Sequence, residues 1–317
     1  MQIKENNLKI SLSILIAIII SVALFFLIMY NLPDNVFQNY KNFFSQDLGE
    51  KNKIFIIGSS HISPINPMII AERLGEKEKF FEVYNLGVPS DDFEDRERTI
   101  EMMLSHDPKV VVIGLEPRYF ESLGRSITQI PDDSLPRIPS FNEILDSIEF
   151  GEKKGIMKNP KFALIRTMTN PIDSEIESFS QKYSPFFKQK DSKTEILKDK
   201  ELKKLNPEYT PKINPIEKNS NLHTLNNIIQ KLSEENVKIV IFVTPHSKYF
   251  IDRYPESHKI EFQSIINEIS EKNYVYSLYD KYAFDEVWSD HTHLATNKNT
   301  EFYSEDVAEF IVKELEK

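Results

Sequence analysis

The chain has 317 residues, 28% of them charged and 40% hydrophobic, enough for one large or two modest domains with a genuine core. Acidic residues outnumber basic ones 49 to 39, a net charge of −10 that leaves no basic face for nucleic acid and excludes it as a partner. There is no cysteine, so disulfides, zinc–thiolate sites and cysteine nucleophiles are excluded as well.

The first element in chain order is apolar. Ile10 to Tyr30 is a run of 21 residues without a charge. As a helix it is about 30 Å long, the thickness of a bilayer's hydrocarbon core. Tyr30 suits the interface and Pro33 stops the helix. No small-x-small cleavage site follows, so residues 1–31 are expected to be an uncleaved, single-pass transmembrane anchor rather than a signal peptide. Lys4 and Lys9 before the span, against Lys41 after it, bias the remainder of the chain towards the extracytoplasmic side. Residues 32–52 read as a polar stem, and 53–317 as the folded domain.

Within that domain, apolar runs alternate with helical patterns. Lys53–Gly58, Glu82–Gly87 and Lys109–Gly114 read as buried strands that each end in glycine. Between them, Asn66-Pro67 is a helix cap followed by proline at the first helical position, leading into Met68–Leu74. Asp91 and Asp92 open a second helix that reaches about Ser105. From 121 to 220 the pattern breaks: prolines at 131, 136, 139, 171, 185, 207, 211 and 215 interrupt any long element, with short helices expected around 141–148 and 162–168. This stretch reads as a polar, proline-rich insertion. Regularity returns with Leu222, Leu225, Ile229 and Leu232 at helical spacing, a strand at Val237–Val243, a helix over 260–269, a strand at Tyr274–Leu278 and a last helix over 300–315. Strands alternating with helices predict an α/β fold, a three-layer α/β/α sandwich around a parallel sheet. Ligands of such sheets bind beyond the carboxyl ends of the strands.

Two strand ends carry chemistry. Gly58-Ser59-Ser60-His61 follows the first strand; a serine there either caps a turn or presents its hydroxyl to the crevice. Trp288-Ser289-Asp290-His291-Thr292-His293-Leu294 follows the last. Histidine can take a proton from serine when a carboxylate orients its ring, and Asp290 lies three residues before His293, one turn away. The same stretch is also compatible with a polar loop, or with a metal pair of His291 and His293 joined by His246 and Asp290. His246, after the fourth strand, either lines the pocket or is structural.

The series Ile56-Ile57-Gly58-Ser59-Ser60, then Asn85-Leu86-Gly87, then Asp290-x-x-His293 resembles the SGNH (GDSL-like) hydrolase superfamily, in its order and at its strand ends. The likeness covers about 53–120 and 221–316. It implies a flavodoxin-like sandwich with Ser60 as nucleophile, Asp290 as orienting acid, His293 as base and the Gly87 amide as an oxyanion donor, and it implies no cofactor. The usual third block, Gly-x-Asn, is absent: the third strand ends Gly114-Leu115-Glu116-Pro117-Arg118. The missing amide would be replaced by Arg118, Asn85 or water, unless Glu116 and Arg118 form a solvated ion pair at the sheet edge. Similar Gly-Ser-Ser members with one N-terminal span serve polymer O-acylation and teichoic-acid D-alanylation beside a multi-spanning membrane acyltransferase. The expected activity is therefore a serine esterase or O-acyltransferase acting on a surface glycan or polymer ester. The rival is a degenerate domain that binds a glycan or partner without catalysis.

Overall fold

The computed structural model describes Ser21 and residues 35–89, 91–121, 182–186, 195–204 and 212–317. Five strands form one parallel sheet: β1 (Lys53–Ile57), β2 (Glu82–Asn85), β3 (Pro108–Leu115), β4 (Lys238–Val243) and β5 (Val275–Ser277). Their order is β2-β1-β3-β4-β5, a doubly wound sheet that reverses direction between β1 and β3. Register runs Ile54 beside Val83 on one side and Val110 on the other, and Ile113 beside Ile241. All five residues of β1 are buried, as a strand covered on both faces requires.

The covering helices form two layers. The first contains α1 (Asn35–Phe44), α3 (Phe93–Leu104), α5 (Ser220–Glu234) and α7 (Glu256–Ser270). Ile100, Leu225, Ile228 and Ile265 from this layer pack on Phe55, Val111 and Ile241 of the sheet. On the opposite face, α2 (Pro67–Gly75) and α8 (Glu301–Leu315) bring Ile70, Leu74, Tyr303 and Val307 onto Ile54, Val112 and Phe242. This is the expected α/β/α sandwich. The predicted caps also form: Asn66 accepts from the Met68 amide with Pro67 at the first helical position, and Asp92 accepts from the Asp95 amide.

One boundary moves. The segment expected to be a polar stem holds α1, and Tyr40, Phe43 and Phe44 are buried in the domain's core. Phe43 meets Tyr84 of β2 edge-on at 5.7 Å, and Phe44 meets Phe55 of β1 at 5.6 Å. The spacing 40, 43, 44 is one face of a helix, which the polar residues between hid. The expected insertion also returns to the core. Phe186 lies 4.6 Å from Tyr40, and Leu202, in α4 (Asp199–Leu202), is buried in the other layer. The helices expected around 141–148 and 162–168 lie outside the described residues. So does the apolar span from Ile10 to Tyr30, apart from Ser21. Among the described residues no helix is long and apolar enough to cross a membrane.

Candidate active site

β1 ends at the topological switch point, and the chain turns through Gly58 and Ser59 into a 3-10 turn, Ser60–Ile62. Ser59 caps this turn, accepting from the His61 amide at 3.3 Å. Glycine is needed on the floor beneath it. A Cβ on Gly114, near the end of β3, would lie 2.6 Å from Ile62 Cγ2, and one on Gly58 would lie 3.1 Å from the same atom. The two glycines let Ile62 settle on the sheet and leave Ser60 half-buried at its edge.

Behind the turn lies a buried guanidinium. Arg96 of α3 donates to the carbonyls of Gly58 (3.3 Å) and Leu86 (2.8 Å), and to Asp91 Oδ2 at 2.6 Å. It also donates to the hydroxyl of Tyr40 on α1, which in turn donates to Leu86 O at 2.5 Å. One side chain thus ties the Ser60 turn, the end of β2 and α1 together.

The histidine beside Ser60 comes from the loop after β5. Trp288, buried, pairs across the loop with Leu294 and donates to Tyr282 O at 3.1 Å. Between them, Asp290 Oδ1 accepts from the amides of Thr292 (2.7 Å) and His293 (2.8 Å) and from the Thr292 hydroxyl (2.9 Å), an Asx turn that fixes the carboxylate. His293 Nδ1 then lies 3.0 Å from Asp290 Oδ2 and 3.1 Å from Oδ1. Its Nε2 lies 2.7 Å from Ser60 Oγ. With the proton on Nδ1 facing the carboxylate, Nε2 is the acceptor for the serine hydroxyl. The expected three residues are brought together, and both nitrogens of His293 are engaged there rather than in a His291–His293 metal pair. His291 is held apart: Ser247 Oγ donates to its carbonyl at 2.5 Å, and burial, with the charge of Arg253 adding, pushes its ring down to about 4.

The other half of the site departs from expectation. Asn85 is fully buried and its amide nitrogen donates to the carbonyls of Ile62 (2.8 Å) and Ile65 (3.0 Å). Its Oδ1 accepts from the Gly87 amide at 3.1 Å. Asn85 therefore clamps the serine turn to the end of β2 and is not an oxyanion donor, and the Gly87 N–H is turned onto Asn85 instead of the site. His246 is also fully buried, stacked on Phe250 at 4.4 Å, and so presents no exposed surface to a ligand. Burial pushes it well below its ordinary range, with the neighbouring His61 adding to the effect.

Glu116 and Arg118 do not form a solvated pair. The Glu116 side chain is 5% exposed, and its Oε2 lies 2.8 Å from Nε2 of His61, a close carboxylate–imidazole contact and not a well-directed hydrogen bond. Burial pushes this carboxyl up, but His61, Arg118 and a bond to Ser59 outweigh it and hold Glu116 below the usual carboxylate range. Arg118 is exposed, its guanidinium 5.6 Å over the Phe250 ring. Three contributors escaped the sequence reading. His61 was legible as the neighbour of Ser60, and Thr292 as the residue inside Asp-x-Thr-His; Arg96, inside a charged helix, carries no local signal.

No known family matches this chain, and no curated protein is similar to it in sequence. Among solved structures it is similar to that of TesA, at 10% identity over 83% of this chain and 98% of that one, with a TM-score of 0.42. It is similar also to the psychrotrophic esterase EstA from Pseudoalteromonas sp., in a structure inhibited by monoethylphosphonate, at 11% identity over 84% of this chain and 100% of that one, with a TM-score of 0.42. Likenesses this distant do not bear on the site.

Proposed function

We propose that this chain is a serine esterase or O-acyltransferase of the SGNH type, held at a membrane by residues 10–30 and acting on an ester of a surface glycan or polymer. One observation carries the reading: Ser60 Oγ, His293 and Asp290 in line at 2.7 and 3.0 Å. His293 Nε2 takes the hydroxyl proton as Ser60 Oγ bonds to the ester carbonyl carbon, and the carbonyl electrons move to oxygen. On collapse the bond to the leaving alcohol breaks, and His293 returns the proton to it. Water resolves the acyl-serine in an esterase; a sugar or polymer hydroxyl resolves it in a transferase.

The Ser60 amide is the oxyanion donor this reading relies on, because Asn85 and Gly87 are engaged with each other. Loss of one such donor costs on the order of 10²–10³ in rate. Slow turnover of small activated esters follows, which suits an enzyme supplied with its acyl group by a multi-spanning membrane partner. The engaged Gly87 amide also favours a second reading, a binding module without catalysis. Purified full-length protein should turn over a chromogenic acetate ester slowly, and Ser60→Ala should abolish that turnover and lower acyl modification of the surface polymer in cells. Fast hydrolysis without a partner would make the protein a plain esterase. If Ser60→Ala changes neither quantity, the binding module is correct.

A further inference from the structure

The serine chemistry above leaves a buried carboxylate–imidazole pair unused. Glu116 and His61 are 5% and 2% exposed, and a charge taken that far from water is retained only against a large desolvation cost. His61 directly follows Ser60, and its ring lies 4.7 Å from that of His293, the planes inclined by 33°. On its other side it lies 4.9 Å from His246. The three imidazoles form a row with Glu116 on its flank. Among the described residues His61 Nδ1 has no hydrogen-bond partner, so the contact with Glu116 is this ring's polar anchor.

The charges around His293 come from every side. Asp290 and His291 share its loop; His61 comes from the turn after β1, Glu116 and Arg118 from the end of β3, His246 from the end of β4, and Arg253 from the turn before α7. Of these groups among the described residues, only Asp290 and Glu116 are anionic. Asp290 is committed to Nδ1 of His293 and to the loop amides. Burial holds His61 below its ordinary value against the pull of Glu116, so near neutral pH the pair carries one negative charge.

We propose that Glu116, held by His61, is a second carboxylate of the site: a positioning residue whose charge stabilises the imidazolium His293 becomes when Ser60 gives up its proton. The inference rests on the serine reading above. It also explains how a carboxylate is tolerated near a developing oxyanion, since contact with His61 commits it to the histidine row. Two opposed effects follow. Removing the charge makes His293 a weaker base, while removing the His61 ring takes away the group that competes with His293 for a proton.

The test is the pH dependence of Ser60 labelling by a fluorophosphonate probe, on the full chain in detergent micelles. A unit charge roughly 10 Å away, at an effective dielectric of about 20, is worth about one pH unit. Glu116→Gln is expected to move the acid limb down by that amount, and Glu116→Asp to return it towards the wild type. His61→Gln, which keeps a donor on Glu116, should move the limb up, so either variant is informative if the other fails to fold. A labelled wild type whose limb coincides with those of the folded Gln variants overturns the role of Glu116 alone. A wild type that takes no label at any pH overturns the serine reading and this role with it.

Discussion

The two halves of the site are built to different standards. On the base side, Asp290 is fixed by two amides and a hydroxyl before it meets His293, and His293 already lies 2.7 Å from Ser60. On the oxyanion side, the groups that would be expected to donate are engaged elsewhere: Asn85 donates to Ile62 and Ile65, and the Gly87 amide donates to Asn85, while Glu116 lies against His61. On the proposed reading Ser60 is activated in the resting fold, while stabilisation of the negative charge it would create is left largely to its own amide. The difference teaches that activation and turnover are separable here. A serine can be reactive towards a strong electrophile and still be slow on an ordinary ester.

The largest expected effects test the base side. Asp290→Asn keeps the shape of the loop but loses the charge that favours the correct tautomer, and should slow labelling of Ser60 by up to about 10⁴-fold. A loss below tenfold would make Asp290 a loop fastener only. On the other side, Asn85→Ala removes the donors to two buried carbonyls and the acceptor for Gly87. It should destabilise the fold by about 2–4 kcal/mol, read as a lower Tm. Were Asn85 an oxyanion donor, the variant would instead lose 10²–10³ in turnover at an unchanged Tm.

Much of this contrast was legible in the sequence, and unevenly. The strands and the caps at Asn66 and Asp92 follow from local patterns, apolar runs ending in glycine and a cap before proline, whereas the grouping of Ser60 with Asp290 and His293 came from the resemblance, the local pattern supplying only a carboxylate three residues before a histidine. The oxyanion side was misread because it depends on contacts between distant segments. Asn85 reaches back 23 residues to Ile62, and Glu116 finds a partner 55 residues earlier at His61. No spacing rule announces such pairs. The helix over 35–44 was missed for a related reason. Its apolar face is narrow, and it counts as core only once Tyr84 and Phe55 are seen to cover it.

Smaller effects sharpen the comparison. Gly114→Ala forces a methyl group against Ile62 and should cost about 1–3 kcal/mol while displacing the Ser60 turn, so Tm and labelling fall together. Tyr40→Phe removes a donor to Leu86 O and a partner of Arg96; a loss of about 1 kcal/mol is expected. No change in Tm would show that α1 is held by its rings alone. The mildest prediction concerns pH. Burial keeps His246 and His291 neutral in the folded chain, whereas the unfolded chain takes up protons on both below about pH 6.5. The unfolded state then binds more protons, so stability should fall as pH drops from about 6.5, with the His291 contribution complete near 4. His291→Gln should flatten that decline, and an unchanged slope would remove His291 from the explanation.

The central claim is that His293 activates Ser60 in the resting fold. Reaction of the folded full-length chain with a fluorophosphonate, followed by mass mapping of the adduct, tests it most directly. A single adduct on Ser60, absent from Ser60→Ala and nearly absent from His293→Ala, is the predicted result. Failure of the folded wild type to react, or equal labelling of Ser60 in the His293→Ala protein, would contradict it.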